Sequence, residues 1–348
     1  MQFHKDSLFT QELKFKTKPL LASFPRGRFA VPFIVFKAWL LIFANLGCYL
    51  SILFLASRFE TRFLLDLLFA MLALALGLNV MHEAAHGNFS SRPLVNRIMA
   101  LSFDFFGVSS DLYRVKHIQF HHNYPNFFGR DGDISETPIL RMSPEQAWYP
   151  VHRYQAYYFL PLYSLITLTW FYSDLGRLIT CKIGTETFKR PSRIVIAKIL
   201  FFKSINFYLT YILPFQILGW MQASVLILVF HFTLGVVLSL IFQVAHVHPS
   251  GFKHLDGELT DWFVHQVLTA ADFSCKSRWA NFFYGGLNFQ VIHHLFPNVT
   301  YAAYPKLQLV VAELCKKHKL PYCEFKSFGH ATLAHIRYLN ELGKVPLK

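Results

Sequence analysis

Apolar residues along this chain come in long unbroken runs separated by polar stretches, without the alternation of a strand or the three-to-four spacing of a surface helix. No residue from Ala38 to Ser57 is charged, and between Phe63 and Met81 only Asp66 is. Each run is about the 20 residues that a helix needs to cross a hydrocarbon core. The polar segment 57–62 between them predicts a helical hairpin. From Ser204 to Ala245 another 42 residues carry no charge, enough for two more crossings with a break at Gly219 to Gln222. The predicted crossings are therefore about 36–57, 63–81, 204–220 and 223–245.

Two weaker segments need a decision. Ala156 to Ser173 is 18 uncharged residues long, but the 174–203 stretch behind it holds seven basic and two acidic side chains, the bias of a cytoplasmic loop. It is read as interfacial or re-entrant, as is Leu94 to Val108, which Asp104 interrupts. The first 30 residues contain six basic and two acidic side chains and no long apolar run, so no cleaved secretory signal is expected and the N-terminus is expected to stay cytoplasmic. The fold predicted is an all-α integral membrane protein, one domain over 1–348. Four transmembrane helices form two hairpins. Segments 82–203, with interfacial helices, and 246–348, as a helical cap, are both expected on the cytoplasmic side.

Composition supports this reading: 53% of residues are hydrophobic and 16% charged, which excludes an ordinary soluble enzyme. Thirty-four Lys and Arg against 20 Asp and Glu leave +14, and in a membrane protein such an excess gathers on the cytoplasmic face, so the partner expected is a bilayer and not nucleic acid. Cys48, Cys181, Cys275, Cys315 and Cys323 form no C-x-x-C pair, which argues against a thiolate zinc site or a disulfide framework.

Histidine is the residue that stands out, with 17. His82 and His86 are four apart, one turn of a helix, and so are His117 and His121, with His122 beside them. His293 and His294 follow Gln290, and His246 lies where the fourth crossing meets the interface. With four crossings all eight fall at one membrane surface. Eight neutral imidazoles exceed what one metal takes, whereas two metals would use them and keep positions open, although imidazole alone does not choose among iron, copper, zinc and nickel. His231, in mid-crossing, is read as a hydrogen-bonded core residue.

The motifs His82-x-x-x-His86, His117-x-x-x-His121-His122 and Gln290-x-x-His293-His294, in this order and flanked by membrane hairpins, resemble the histidine boxes of membrane fatty-acid desaturases. Met81 to Ser90 resembles the first box of the front-end subgroup, and Gly285 to Pro297 its third, in which glutamine replaces the first histidine. The resemblance runs from about residue 78 to 325. It implies two non-haem iron ions and O2 as co-substrate. The implied reaction removes two hydrogens from neighbouring carbons of an acyl chain, placing a cis double bond between the carboxyl end and an existing one. The substrate implied is a fatty acyl-CoA or a membrane acyl-lipid.

On this resemblance His82, His86, His117, His121, His122, His246, His293 and His294 act catalytically as metal ligands, with His248 a substitute for His246. Gln290 is a weak ligand or hydrogen-bonds to bound water or oxygen. Glu83, Asp104, Asn126, Asp131 and Asp133 are candidate acceptors behind the ligands. Many eukaryotic front-end relatives carry a fused cytochrome b5 domain with a His-Pro-Gly-Gly motif that does not occur here, so the electron donor is expected to be external, ferredoxin or cytochrome b5 with its reductase. A bacterial inner membrane is expected in preference to endoplasmic reticulum. Two rivals share the residues: a fatty-acid or lipid hydroxylase on the same di-iron scaffold, and an intramembrane zinc metalloprotease. For the protease, His82-Glu83-Ala-Ala-His86 satisfies H-E-x-x-H and Leu255-Asp256-Gly257 resembles a third-ligand motif.

Overall fold

A helix satisfies its own backbone hydrogen bonds, which hydrocarbon demands of any segment that crosses it, and the long apolar runs are helical throughout. The computed structural model describes residues 3, 6–24, 29–135, 137–252 and 261–345. Among these, four helices are long and apolar enough to span a membrane: Pro32–Leu55, Phe59–Ala85, Arg193–Leu218 and Trp220–His246. The first two pack as a hairpin, and the last two are joined by Gly219 alone. Gly219 has φ 73° and ψ 163°, a conformation that side chains exclude, so glycine is what permits a one-residue turn.

The third apolar helix starts at Arg193, well before the uncharged run at Ser204. Its early charges are answered by protein: the Lys203 ammonium donates to the Gly107 carbonyl at 2.8 Å and pairs with Asp174 at 3.1 Å. The second runs past Met81 through a π turn at Gly77–Met81, so His82 and His86 are carried directly on the end of a membrane helix. Ala156 to Ser173 is divided between two helices, Gln155–Ser164 and Ile166–Thr180, broken at Leu165. Gln155–Ser164 lies close on the fourth apolar helix because Gly235 has no Cβ; one there would collide with the Ser164 carbonyl.

The remaining helices gather at the end of the bundle that carries the histidines. Trp262–Thr269, Gln290–Leu295 and Tyr304–Lys317 pack around a buried cluster that includes Val267, Phe289, Ile292, Leu307 and Leu314, and the N-terminal helix Leu8–Ala22 closes it with Phe9 and Leu13. A short parallel pair, Ala271–Phe273 with Cys323–Phe325, ties the cap to the helix Phe328–Leu342. Strand structure among the described residues is limited to this pair and one two-residue hairpin.

Candidate metal centre

Each histidine motif sits where a helix changes its winding or stops. His117 and His121 lie in a π turn, Val115–His121, that continues the helix Ser110–Arg114. Such turns shift side chains off the ordinary 3.6-residue register and recur at functional sites. His246 is the last residue of the fourth apolar helix, and His293 and His294 belong to the short buried helix Gln290–Leu295. All eight are buried.

Their nitrogens form two groups. One ring nitrogen each from His82, His86, His117 and His293 lies within 4.8 Å of the others, and the same holds for His121, His246 and His294. His122 stands between them, its Nε2 3.2 Å from His117 Nε2 and its ring 4.5 Å from those of both His293 and His294. Gln290 is fully buried on the helix of His293, and neither end of its amide has a hydrogen-bond partner among the described residues. His248 stands outside both groups, edge-on to Phe325. His231 bonds Thr167 and Tyr211 at 2.7 and 3.0 Å, as a core histidine does.

The protons decide what these groups are for. His246 Nδ1 donates to the Thr269 carbonyl at 3.2 Å, and His294 Nδ1 donates to Gln266 Oε1 at 2.9 Å. A neutral imidazole has one N–H, so both Nε2 atoms carry lone pairs, and these face each other at 3.2 Å. With the rings in these tautomers, a cation between the two nitrogens makes the contact favourable. His86 Nε2 and His293 Nε2 are likewise buried without a partner. Burial, followed by the charge of neighbouring groups, holds His86, His117, His122, His293 and His294 well below the usual imidazole pKa, in the neutral form that ligates metal.

His121 is the exception. Burial pulls its pKa down, but Asp131 and Asp133 outweigh that and raise it; Asp131 lies 3.1 Å from Nδ1 and Asp133 3.4 Å. Burial would also raise Asp133, yet Lys116 at 2.8 Å and His121 hold it below the carboxylate range. Carboxylates that favour a proton on this ring favour a metal on it equally. The donor set therefore fits a metal centre.

Asp131 and Asp133, considered from the sequence, do stand behind a histidine. Asn126 braces the frame: its amide donates to the carbonyls of His246, Gly251 and Thr269 at 3.0, 3.0 and 3.3 Å. Asp104 instead accepts from the Ser110 backbone. Three supporting groups carried no signal in the sequence: Gln266, the Thr269 carbonyl, and Tyr304, whose hydroxyl lies 3.2 Å from His293 Nδ1. Glu83 has another task. Its Oε1 accepts from Thr300 Oγ1 at 2.8 Å and from the Tyr301 amide at 2.9 Å, clamping the cap to the second helix.

Beside His82 opens a narrow apolar pocket lined by Leu74, Leu78, Phe103, Trp170 and Phe242. It shares Phe106, Thr167 and Leu234 with a cavity of about 510 Å³ between the membrane helices. The convergent imidazoles thus border an apolar pocket among the membrane helices. The fatty acid desaturase family model matches residues 60–326.

The chain belongs to that family. It is 33% identical over 322 residues to the sn-1 linoleoyl-lipid 6-desaturase of a Synechocystis strain, covering 90% of this chain and 89% of that one. It is 30% identical over 337 residues to the acyl-lipid (8-3)-desaturase of Mortierella alpina, covering 94% and 70%. A third relative, Delta(5) fatty acid desaturase A of Dictyostelium discoideum, is 29% identical over 316 residues. The desaturase is thus a membrane enzyme that uses oxygen to desaturate a fatty acyl chain. The metalloprotease reading gives way: Glu83, its general base, is engaged in the clamp to Thr300 and Tyr301, while Leu255-Asp256-Gly257 lies outside the described residues.

Proposed function

We propose that this desaturase introduces a cis double bond between the carboxyl end of an acyl chain and an existing double bond, at a dinuclear iron centre held by the eight histidines. The observation that carries the metal assignment is the convergence of buried ring nitrogens, four from His82, His86, His117 and His293 and three from His121, His246 and His294, within 4.8 Å in each group. The four-nitrogen group would hold one ion and the three-nitrogen group the other, with His122 between them and the free amide of Gln290 available to bond solvent or oxygen. Bound iron supplies the activation of O2 and the removal of hydrogen from two adjacent methylenes, one O2 becoming two waters with two further electrons and two protons. The protein positions and protects. Asp131, Gln266 and the Thr269 carbonyl fix ring orientation from behind, while Leu74, Phe103, Trp170 and Phe242 hold the chain beside His82 in a dry channel.

The position of the double bond follows the relatives, which include 6-desaturases and an (8-3)-desaturase acting on acyl-lipids, and the substrate proposed is a membrane acyl-lipid. Electrons come from a separate carrier, ferredoxin or cytochrome b5. The histidine end of the bundle faces the cytoplasm, in keeping with the basic segment 174–203 beside it, and the membrane proposed is a bacterial inner membrane.

Expression of the full chain in cells fed polyunsaturated fatty acids tests the reading. Mass analysis of the extracted lipids is expected to show products two hydrogens lighter, with the new double bond on the carboxyl side of the old. Products one oxygen heavier would identify a hydroxylase instead.

A further inference from the structure

Two buried oxygen atoms in the wall of the large cavity have no hydrogen-bond partner among the described residues. Most polar groups around it are occupied: His231 by Thr167 and Tyr211, and the Asn206 amide by the Phe105 carbonyl. Asn45 and Asp66 differ. Both line the cavity, and each is only 5% exposed. Asn45 Nδ2 donates to the Leu41 carbonyl at 2.8 Å, but Asn45 Oδ1 and Asp66 Oδ2 have no hydrogen-bond partner among the described residues. The two belong to one wall, since Cys48, one turn from Asn45, bonds the carbonyl of Leu65, the neighbour of Asp66, at 3.2 Å.

Their depth is set by the helix that carries both ends. Asp66 precedes His82 by sixteen residues on Phe59–Ala85, about 24 Å at the helical rise, so it stands far from the metal centre. A carboxyl group inside a membrane helix costs insertion energy, and leucine in its place would make that helix easier to insert. An apolar methyl terminus gains nothing from either oxygen. Water does, and two inward-facing acceptors in a roomy cavity are what an ordered water needs.

We infer that Asn45 and Asp66 limit the length of the acyl substrate by polarity, not by bulk. The inference rests on the acyl-chain reading above and deepens it to the methyl end of the chain. With its reacting carbons beside His82, the chain extends down the channel until it meets water held at Asn45 and Asp66. A chain longer by one two-carbon unit must displace that water and strand both oxygens against hydrocarbon, a penalty on the order of tenfold in binding for each. A shorter chain leaves the water in place.

Polarity and bulk predict opposite signs, which makes the test decisive. Full-length wild type, Asp66→Leu, Asn45→Leu and Asp66→Asn are expressed in cells fed an equimolar series of fatty acids stepping by two carbons, and the converted fraction is measured for each length. Leucine keeps or increases the bulk and removes the polarity. Both leucine variants are expected to raise the ratio of longest to shortest chain converted by about tenfold, and Asp66→Asn, which still holds water, to keep the wild-type ratio. An unchanged ratio, or a shift toward shorter chains, in the leucine variants overturns the inference. So does loss of either leucine variant from the membrane fraction, which would make the pair a structural link between helices. Failure of the wild type to convert any chain would instead sink the desaturation reading on which the inference stands.

Discussion

His246 Nε2 and His294 Nε2 face each other at 3.2 Å, each ring backed at Nδ1 by an oxygen, the Thr269 carbonyl and Gln266 Oε1. The two residues are separated by 48 positions and come from a membrane helix and from the cap. A metal ion held by both nitrogens, as proposed above, would join the cap to the bundle.

The acceptors behind the rings are open to test. Gln266→Leu keeps the volume of the side chain and removes the oxygen that orients His294. Metal affinity is expected to fall ten- to a hundredfold, as losses of such supporting groups do. Titration of the purified protein with a chelator, following metal release, measures it; release matching the wild type would show that His294 needs no partner. The Thr269 carbonyl behind His246 is backbone and admits no equivalent substitution.

Glu83 is predicted to act on stability, not on bond breaking. Glu83→Ala strands the Tyr301 amide in a partly buried position, at a cost of about 1–3 kcal/mol, whereas Glu83→Gln keeps an oxygen for both donors. The alanine variant is expected to unfold at a lower temperature in detergent and still to retain metal and measurable turnover, and the glutamine variant to lie close to wild type. Complete loss of turnover in a Glu83→Gln protein that melts normally would give the carboxylate a chemical role.

Gly286 is predicted to tolerate no side chain. Its φ is +80°, and a Cβ there would run into the side chain of Tyr301. Gly286→Ala combines backbone strain with that collision and is expected to cost at least about 2 kcal/mol. Thermal unfolding of the solubilised variant is the measurement, with a drop of several degrees expected; a melting point equal to wild type would contradict the packing of the third box against Tyr301.

How far the sequence reveals this protein depends on the range of the interaction. His82 with His86 was legible because a helix turns a spacing of four into a shared face, whereas the π turn over Val115–His121 sends His117 to one group of nitrogens and His121 to the other. The membrane helices were legible because hydrocarbon permits few structures. Lys198 and Lys203 hid the start of the third apolar helix, since Asp111 answers the first and Asp174 with the Gly107 carbonyl the second, all far away in the chain. Gln266 and Tyr304 stayed invisible for a related reason. Glutamine and tyrosine are common acceptors, and only the packing of Trp262–Thr269 and Tyr304–Lys317 brings these two behind histidines.

Metal content tests the central claim most directly. Elemental mass spectrometry on detergent-purified full-length protein is to be compared for wild type, His246→Ala and His293→Ala, one ligand from each group of nitrogens. The dinuclear centre predicts about two metal ions per wild-type chain, and substantially fewer in each variant. About one ion per wild-type chain, lost from one variant and untouched by the other, would contradict it.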